Sequence, residues 1–217
     1  MEEKIRKFLG RKTLYKINST QEIVYGLHYV IKDLDLPVNL AAFVFMKTTT
    51  DFTTWTYKHI ECILQTGYQL YVESHKVLKP NTSKLGIEHV LRCFRFKDCE
   101  AKIEIKKPIP GRRFTRESLY RNLILLCTFR NFCIVNFDEY YVSIYFKGLY
   151  YYLFDPYRRD LYGNRTEKGT AVMMRFKDLA ELVDKVVGNL LPSGAEVVEG
   201  PYSLISVILL SVARIGK

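Results

Sequence analysis

The chain has 217 residues, with 33 Lys and Arg against 23 Asp and Glu, a formal charge of +10 and a pI near 9.3. At 48% hydrophobic and 26% charged, with 12 Gly and 7 Pro, it has the apolar mass for a sizeable core, which excludes wholesale disorder and a collagen-like repeat. The length suits one ordinary domain, and residues 1–217 are read as such, with a short helical lead over 1–18.

The opening segment MEEKIRKFLGRK begins with charges and has no apolar run of signal-peptide length, so nothing marks the chain for secretion. His28 lies in the apolar run Ile23 to Ile31 and is read as a core histidine. Asn39 to Met46 (NLAAFVFM) predicts a buried helix. Thr54 is a candidate N-cap for a second helix, whose Trp55, Ile60, Ile63, Leu64, Leu70 and Tyr71 follow a helical period interrupted by Gly67. His59 falls on its predicted surface.

The basic stretch that follows contains Lys102, Lys106, Lys107, Arg112, Arg113, Arg116 and Arg121 around the loop Pro108-Ile109-Pro110-Gly111. Such a cluster can touch phosphates, and Lys106, Lys107, Arg112, Arg113, Arg116 and Arg121 are the candidate nucleic-acid contacts. A solvated face or an acidic protein partner explains it equally well. Glu117 to Phe129 predicts a third helix with Leu119, Leu123, Leu126 and Cys127 on one face.

Beyond it the period changes to that of strands, which the 16 Tyr and 13 Phe favour. Tyr140–Lys147, Leu149–Asp155 and Thr170–Phe176 read as consecutive antiparallel strands, with Pro156 to Gly169 as a turn-rich connection. Asp178 caps an amphipathic helix over Leu179–Val187. Tyr202 to Leu210 is either a last core strand or an apolar edge awaiting a partner, and the longer run to Ala213 falls short of the roughly 20 residues a bilayer span needs. A helical N-terminal half packed on an antiparallel sheet is an α+β architecture. An intracellular protein of the nucleus or cytoplasm, without a membrane partner, is expected.

The five cysteines (Cys62, Cys93, Cys99, Cys127, Cys133) are odd in number, which suits free thiols. Cys93 with Cys99 and Cys127 with Cys133 repeat one gap that is wider than the usual pairing in a zinc knuckle, so core packing is favoured and no metal or other cofactor is expected. Cysteine nucleophilic catalysis needs an imidazole beside a thiol. All four histidines (His28, His59, His75, His89) precede the strand-rich half, and Cys62 with His75 or His89 is the pairing left open. No Gly-rich phosphate loop or paired-histidine metal motif is present.

The segment Tyr150 to Val187 carries Phe154, Asp155, Arg159, Gly163, Gly169, Thr170, Ala171, Phe176 and Leu179 in a pattern that resembles the papain-like deubiquitinating protease domain of herpesvirus large tegument proteins. Residues 140–187 are the most family-like part. Trp55, Ile63, Leu64, Gly67, Leu70 and Tyr71 resemble the family's tryptophan-bearing helix. The resemblance implies a papain-like cysteine protease fold. It also implies that Gln21 takes the place of an oxyanion-hole glutamine, that Asp155 keeps an orienting carboxylate, that Tyr157 stands where the catalytic histidine belongs, and that the nucleophile position falls near Asp35. A phenol with an ordinary pKa near 10 is protonated at neutral pH and cannot serve as a general base. The expectation is therefore a pseudoprotease with no catalytic residues, acting as a protein interaction module or complex subunit. Its partner is another protein, ubiquitin-like or a complex subunit, and Tyr157, Arg158 and Arg159 are candidate contacts. The alternative expectation is a nucleic-acid-associated protein using the 102–121 stretch.

Overall fold

In the computed structural model, residues 15–16, 21–26, 28–30, 34–49, 51–78, 85–138, 140–191 and 200–215 are described. A long antiparallel sheet forms the middle layer. Its strands are β1 (Tyr15–Lys16), β2 (Gln21–Tyr25), β3 (Cys93–Phe96), β4 (Cys99–Ile105), β5 (Ile109–Gly111), β6 (Phe132–Phe137), β7 (Tyr140–Lys147), β8 (Tyr150–Arg159), β9 (Thr170–Phe176) and β10 (Tyr202–Arg214). They lie in the order β1-β2-β9-β8-β7-β6-β10-β4-β3, with β5 also paired to β10. Within the expected helical lead, Tyr15–Lys16 form a strand against Ile23 and Glu22, and the rest of the lead lies outside the described residues.

Helices α1 (Asp35–Thr48) and α2 (Tyr57–Lys76) cover one face of the sheet, and α3 (Arg116–Phe129) and α4 (Leu179–Leu190) cover the other. The helical half packed on the sheet is thus one side of a three-layer arrangement. Along β6, Phe132 and Ile134 enter the core with α1 and α2, while Cys133 and Val135 enter the core with α3 and α4. Burial on both faces explains why the central strands are apolar at successive positions and do not alternate with polar residues.

The predicted helix over Asn39–Met46 is the middle of α1, buried from Asp35 to Met46. It begins earlier because Pro37, which lacks an N–H, fits the first turn, where amides have no intrahelical partner, and Asp35 is favoured at the positive helix end. α2 is capped by Thr56 and not by Thr54. Thr54 closes a short 3₁₀ turn (Phe52–Thr54), whereas Thr56 and His59 form a reciprocal capping box. His59 is consequently half-buried and stacked on Trp55, not on the surface. Gly67 lets α2 approach α1, since a Cβ there would stand 2.4 Å from the Val38 Cα.

Two further expectations change. His28 is exposed, and its ring bonds Glu61, so it is not a core histidine. Pro156 does not end the strand in a turn: β8 runs on to Arg159 through a register shift between Asp155 and Arg159. The missing amide of Pro156 suits such a bulge, and its carbonyl accepts from the Val30 N–H at 2.7 Å. The Tyr202–Leu210 run is a strand buried from Leu204 to Val207, paired with β6 and β5 over its first half and with β4 from Val207 on, and it ends on an exposed Leu210. No helix among the described residues is long and apolar enough to cross a membrane.

Candidate functional site

The N-terminal turn of α1 faces the bulge of β8, and there the two residues singled out at Asp35 and Tyr157 meet. The Tyr157 hydroxyl donates to Asp35 Oδ2 at 2.6 Å and accepts from the Tyr141 N–H at 2.8 Å. Asp35 is buried, and its Oδ1 accepts the Leu36 N–H. One turn on, Asn39 donates to the carbonyls of Asp35 and Tyr141 and accepts from the Ser143 hydroxyl at 2.5 Å. The start of α1 is thereby tied to β7 and β8 through groups removed from water.

Asp155 anchors the other side of Tyr157. Its Oδ1 accepts the Tyr157 N–H at 3.2 Å, and its Oδ2 accepts Arg159 Nε at 2.6 Å and Asn189 Nδ2 at 3.2 Å. Asp155 and Arg159 are 1% and 4% exposed, so each charge has its partner inside the protein. The bulge makes this possible: three residues, Pro156 to Arg158, separate Asp155 from Arg159 on β8 while only Ala171 separates their partners Val172 and Thr170 on β9. Gly169 completes the corner, since a Cβ there would fall 2.3 Å from the Arg159 carbonyl oxygen.

The electrostatics keep Tyr157 neutral. Burial first, and then the Asp35 charge that its hydroxyl faces, push the phenol well above its ordinary pKa of 10.0. A group so placed donates a hydrogen bond and does not remove a proton near neutral pH. The pair brings together a phenol and a carboxylate, and neither is a thiol or an imidazole.

The other residues singled out are dispersed. The ladder sets Gln21 opposite Phe176, which pairs with Tyr151, whereas Asp155 is level with Val172 and Tyr25. Gln21 is therefore four residues along the sheet from Asp155, roughly 13 Å at the usual strand rise. Cys62 lies in the first half of α2. The segment with His89 is held to the far end of that helix by the Leu91 N–H on Ser74 Oγ, and Ser74 adjoins His75. Twelve residues of helix, about 18 Å, separate Cys62 from Ser74, so neither histidine is brought to that thiol. Burial pushes the Cys127 thiol up to about 11 and Cys133 well above its ordinary value. Cys93 is exposed rather than in the core. Among the described residues no three His, Cys, Asp or Glu side chains stand together as a metal site.

The basic stretch is divided among β4, the connections on either side of β5, and α3, and part of its charge is paired. Lys106 bonds Glu104, Arg116 bonds Asp184, and Arg121 bonds Glu117. Lys107, Arg112 and Arg113 are exposed.

Beside Tyr157 opens a cavity of about 250 Å³, lined in part by Tyr29, Arg158, Arg159, Arg165 and Asn189. Arg158 and Arg159 were singled out from the sequence, but Tyr29, Arg165 and Asn189 were not. They arrive from the segment before α1, from the β8–β9 connection and from α4, and no local pattern links them. Asn189 in an otherwise apolar helix face was the available signal: its amide bridges Asp155 and the Gly163 carbonyl.

Residues 35–198 match the family described as herpesvirus tegument protein, N-terminal conserved region. No curated protein sequence matches the chain. Among solved structures, the fold is similar to the ubiquitin-specific protease encoded by a murine cytomegalovirus tegument protein, crystallised with a ubiquitin-based suicide substrate. That likeness has a TM-score of 0.69 at 12% sequence identity, and covers 90% of this chain and 88% of the other.

Proposed function

The chain belongs to the herpesvirus tegument N-terminal family, and from that premise we propose that it is a catalytically inactive, deubiquitinase-like domain that holds another protein. Its fold is that of the papain-like viral ubiquitin protease. The observation that carries the proposal is the Tyr157 to Asp35 hydrogen bond of 2.6 Å. It joins a strand to the start of the buried helix, at the positions where the resemblance implies an imidazole and a thiol. A carboxylate offers no thiolate for acyl transfer, and a phenol held above its ordinary range offers no general base.

On this reading the surrounding hydrogen bonds maintain the shape of the cleft for binding in place of turnover, because function resides in sites grafted onto a fold. The neighbouring protease is crystallised with a ubiquitin-based ligand, so ubiquitin bound without cleavage is one form of the proposal. The domain is then a single module over 1–217, working in the nucleus or cytoplasm as part of a larger complex.

The test is turnover of a fluorogenic ubiquitin conjugate by the full chain, with capture of partners at low and high salt after nuclease treatment. We expect no hydrolysis above buffer, and a protein partner retained at high salt. Hydrolysis that disappears on Cys62→Ala contradicts the proposal.

A further inference from the structure

We propose that the arginine-lined cavity beside Tyr157 is a docking site for an acidic peptide segment of a protein partner. The inference rests on the interaction-module reading above and supplies its chemistry. The cavity, about 250 Å³, is smaller than a typical small-molecule pocket and suits one or two side chains of an extended segment. Arg158, Arg159 and Arg165 line it, and among the described residues no Asp or Glu side chain does.

The state of each guanidinium supports an anionic occupant. Arg159, 4% exposed, uses Nε for Asp155 and Nη1 for the Arg158 carbonyl, so Nη2 has no bond to a described residue. Arg158 sits over the Tyr29 ring at 4.0 Å, bonds the Tyr29 hydroxyl and donates Nη1 to the Glu167 carbonyl. It has no carboxylate partner among the described residues. Arg165 is exposed and held through its backbone N–H by Asn189 Oδ1 at 3.1 Å, and its side chain makes no ion pair among the described residues. Arg165 also lines the adjoining groove, where Glu181 and Asp184 stand, and Arg116 engages Asp184.

Buried Arg159 is neutralised by Asp155, and Arg158 and Arg165 add positive charge at the mouth with no ion-paired carboxylate among the described residues. Planar guanidinium forks match carboxylates in pairs of parallel hydrogen bonds, and Tyr29 holds one fork in place before a ligand arrives. The fixed backbone and the stacked ring reduce the side-chain ordering that binding would otherwise require. A lysine-rich segment meets repulsion at the same mouth.

The test is fluorescence polarisation of the full chain with a labelled Glu/Asp-rich peptide, against a Lys-rich peptide of equal length, on proteins whose fold is checked by circular dichroism. We expect the acidic peptide alone to bind. Arg165→Glu and Arg158→Glu should each weaken it about tenfold or more, the scale of a lost charge-assisted hydrogen bond, and Arg112→Glu should not. Because the Arg165 side chain makes no bond to a described residue, its substitution separates loss of binding from loss of fold. Equal binding of the Lys-rich peptide, no binding of the acidic one, or equal loss on Arg112→Glu overturns the inference. So does displacement of the peptide by inorganic phosphate or by an oligonucleotide at equal concentration. Ubiquitin hydrolysis would overturn the inactive-domain reading whatever the peptide does, so the two failures are distinguishable.

Discussion

At the scale of single residues, Tyr157 has two partners on its hydroxyl, the Asp35 carboxylate and the Tyr141 N–H. Tyr157→Phe removes one donor from a buried carboxylate and the hydroxyl that accepts the Tyr141 N–H, so it should cost about 1–3 kcal/mol in urea denaturation. Because the folded phenol is pushed above its ordinary 10.0, its contribution is complete below that pH. As pH rises further, only the unfolded chain gives up this proton, and the contribution declines. The stability gap between wild type and Tyr157→Phe should therefore narrow above pH 10. Asp35, Asp155 and Tyr157 were legible in the sequence because a resemblance spans them. Arg165 and Asn189 were not, since a bulged strand and a distant helix bring them to the site. His28 misled because an apolar neighbourhood in sequence became an exposed segment linked to Glu61.

Elements were legible where one period persists. Strands β7 and β9 have the bounds their sequences predict, and α3 differs by one residue at its start. The hairpin of β3 and β4 was missed because Cys93 and Cys99 were weighed only as thiols and Lys102 only as part of a basic stretch, although Phe94, Phe96, Ala101 and Ile103 alternate with exposed or half-buried residues. The start of α2 was displaced because two threonines compete as caps and a histidine replaces the usual Glu or Gln. His59 Nδ1 accepts the Thr56 N–H at 2.9 Å, and burial, then the Lys97 charge, lower its pKa below 6.5. The neutral ring is thus favoured in the folded state. Below pH 6.5 the unfolded chain binds this proton first, so stability falls with pH. His59→Gln keeps the capping bond without titrating, and thermal melts of that variant should lose part of the acid dependence. Gly67→Ala tests the α1–α2 crossing: its Cβ meets the Val38 backbone, and overpacking should cost about 1–3 kcal/mol in the same denaturation measurement.

At the scale of the molecule, the sheet carries helices on both faces, and the site lies where the helix of one layer meets the bulged strand of the middle layer. The α+β class was legible from the change of period, but not the assignment of α3 and α4 to the opposite face, because an amphipathic helix does not say which face of a sheet it covers. On the proposed reading this meeting point has the form of a protease cleft and the chemistry of a binding site. The most direct measurement is incubation of the full chain with a ubiquitin-based suicide substrate, followed by intact-protein mass spectrometry. An inactive domain keeps its unmodified mass, whether or not ubiquitin binds. A covalent adduct of one ubiquitin on a cysteine, lost when that cysteine is replaced by alanine, would contradict that reading.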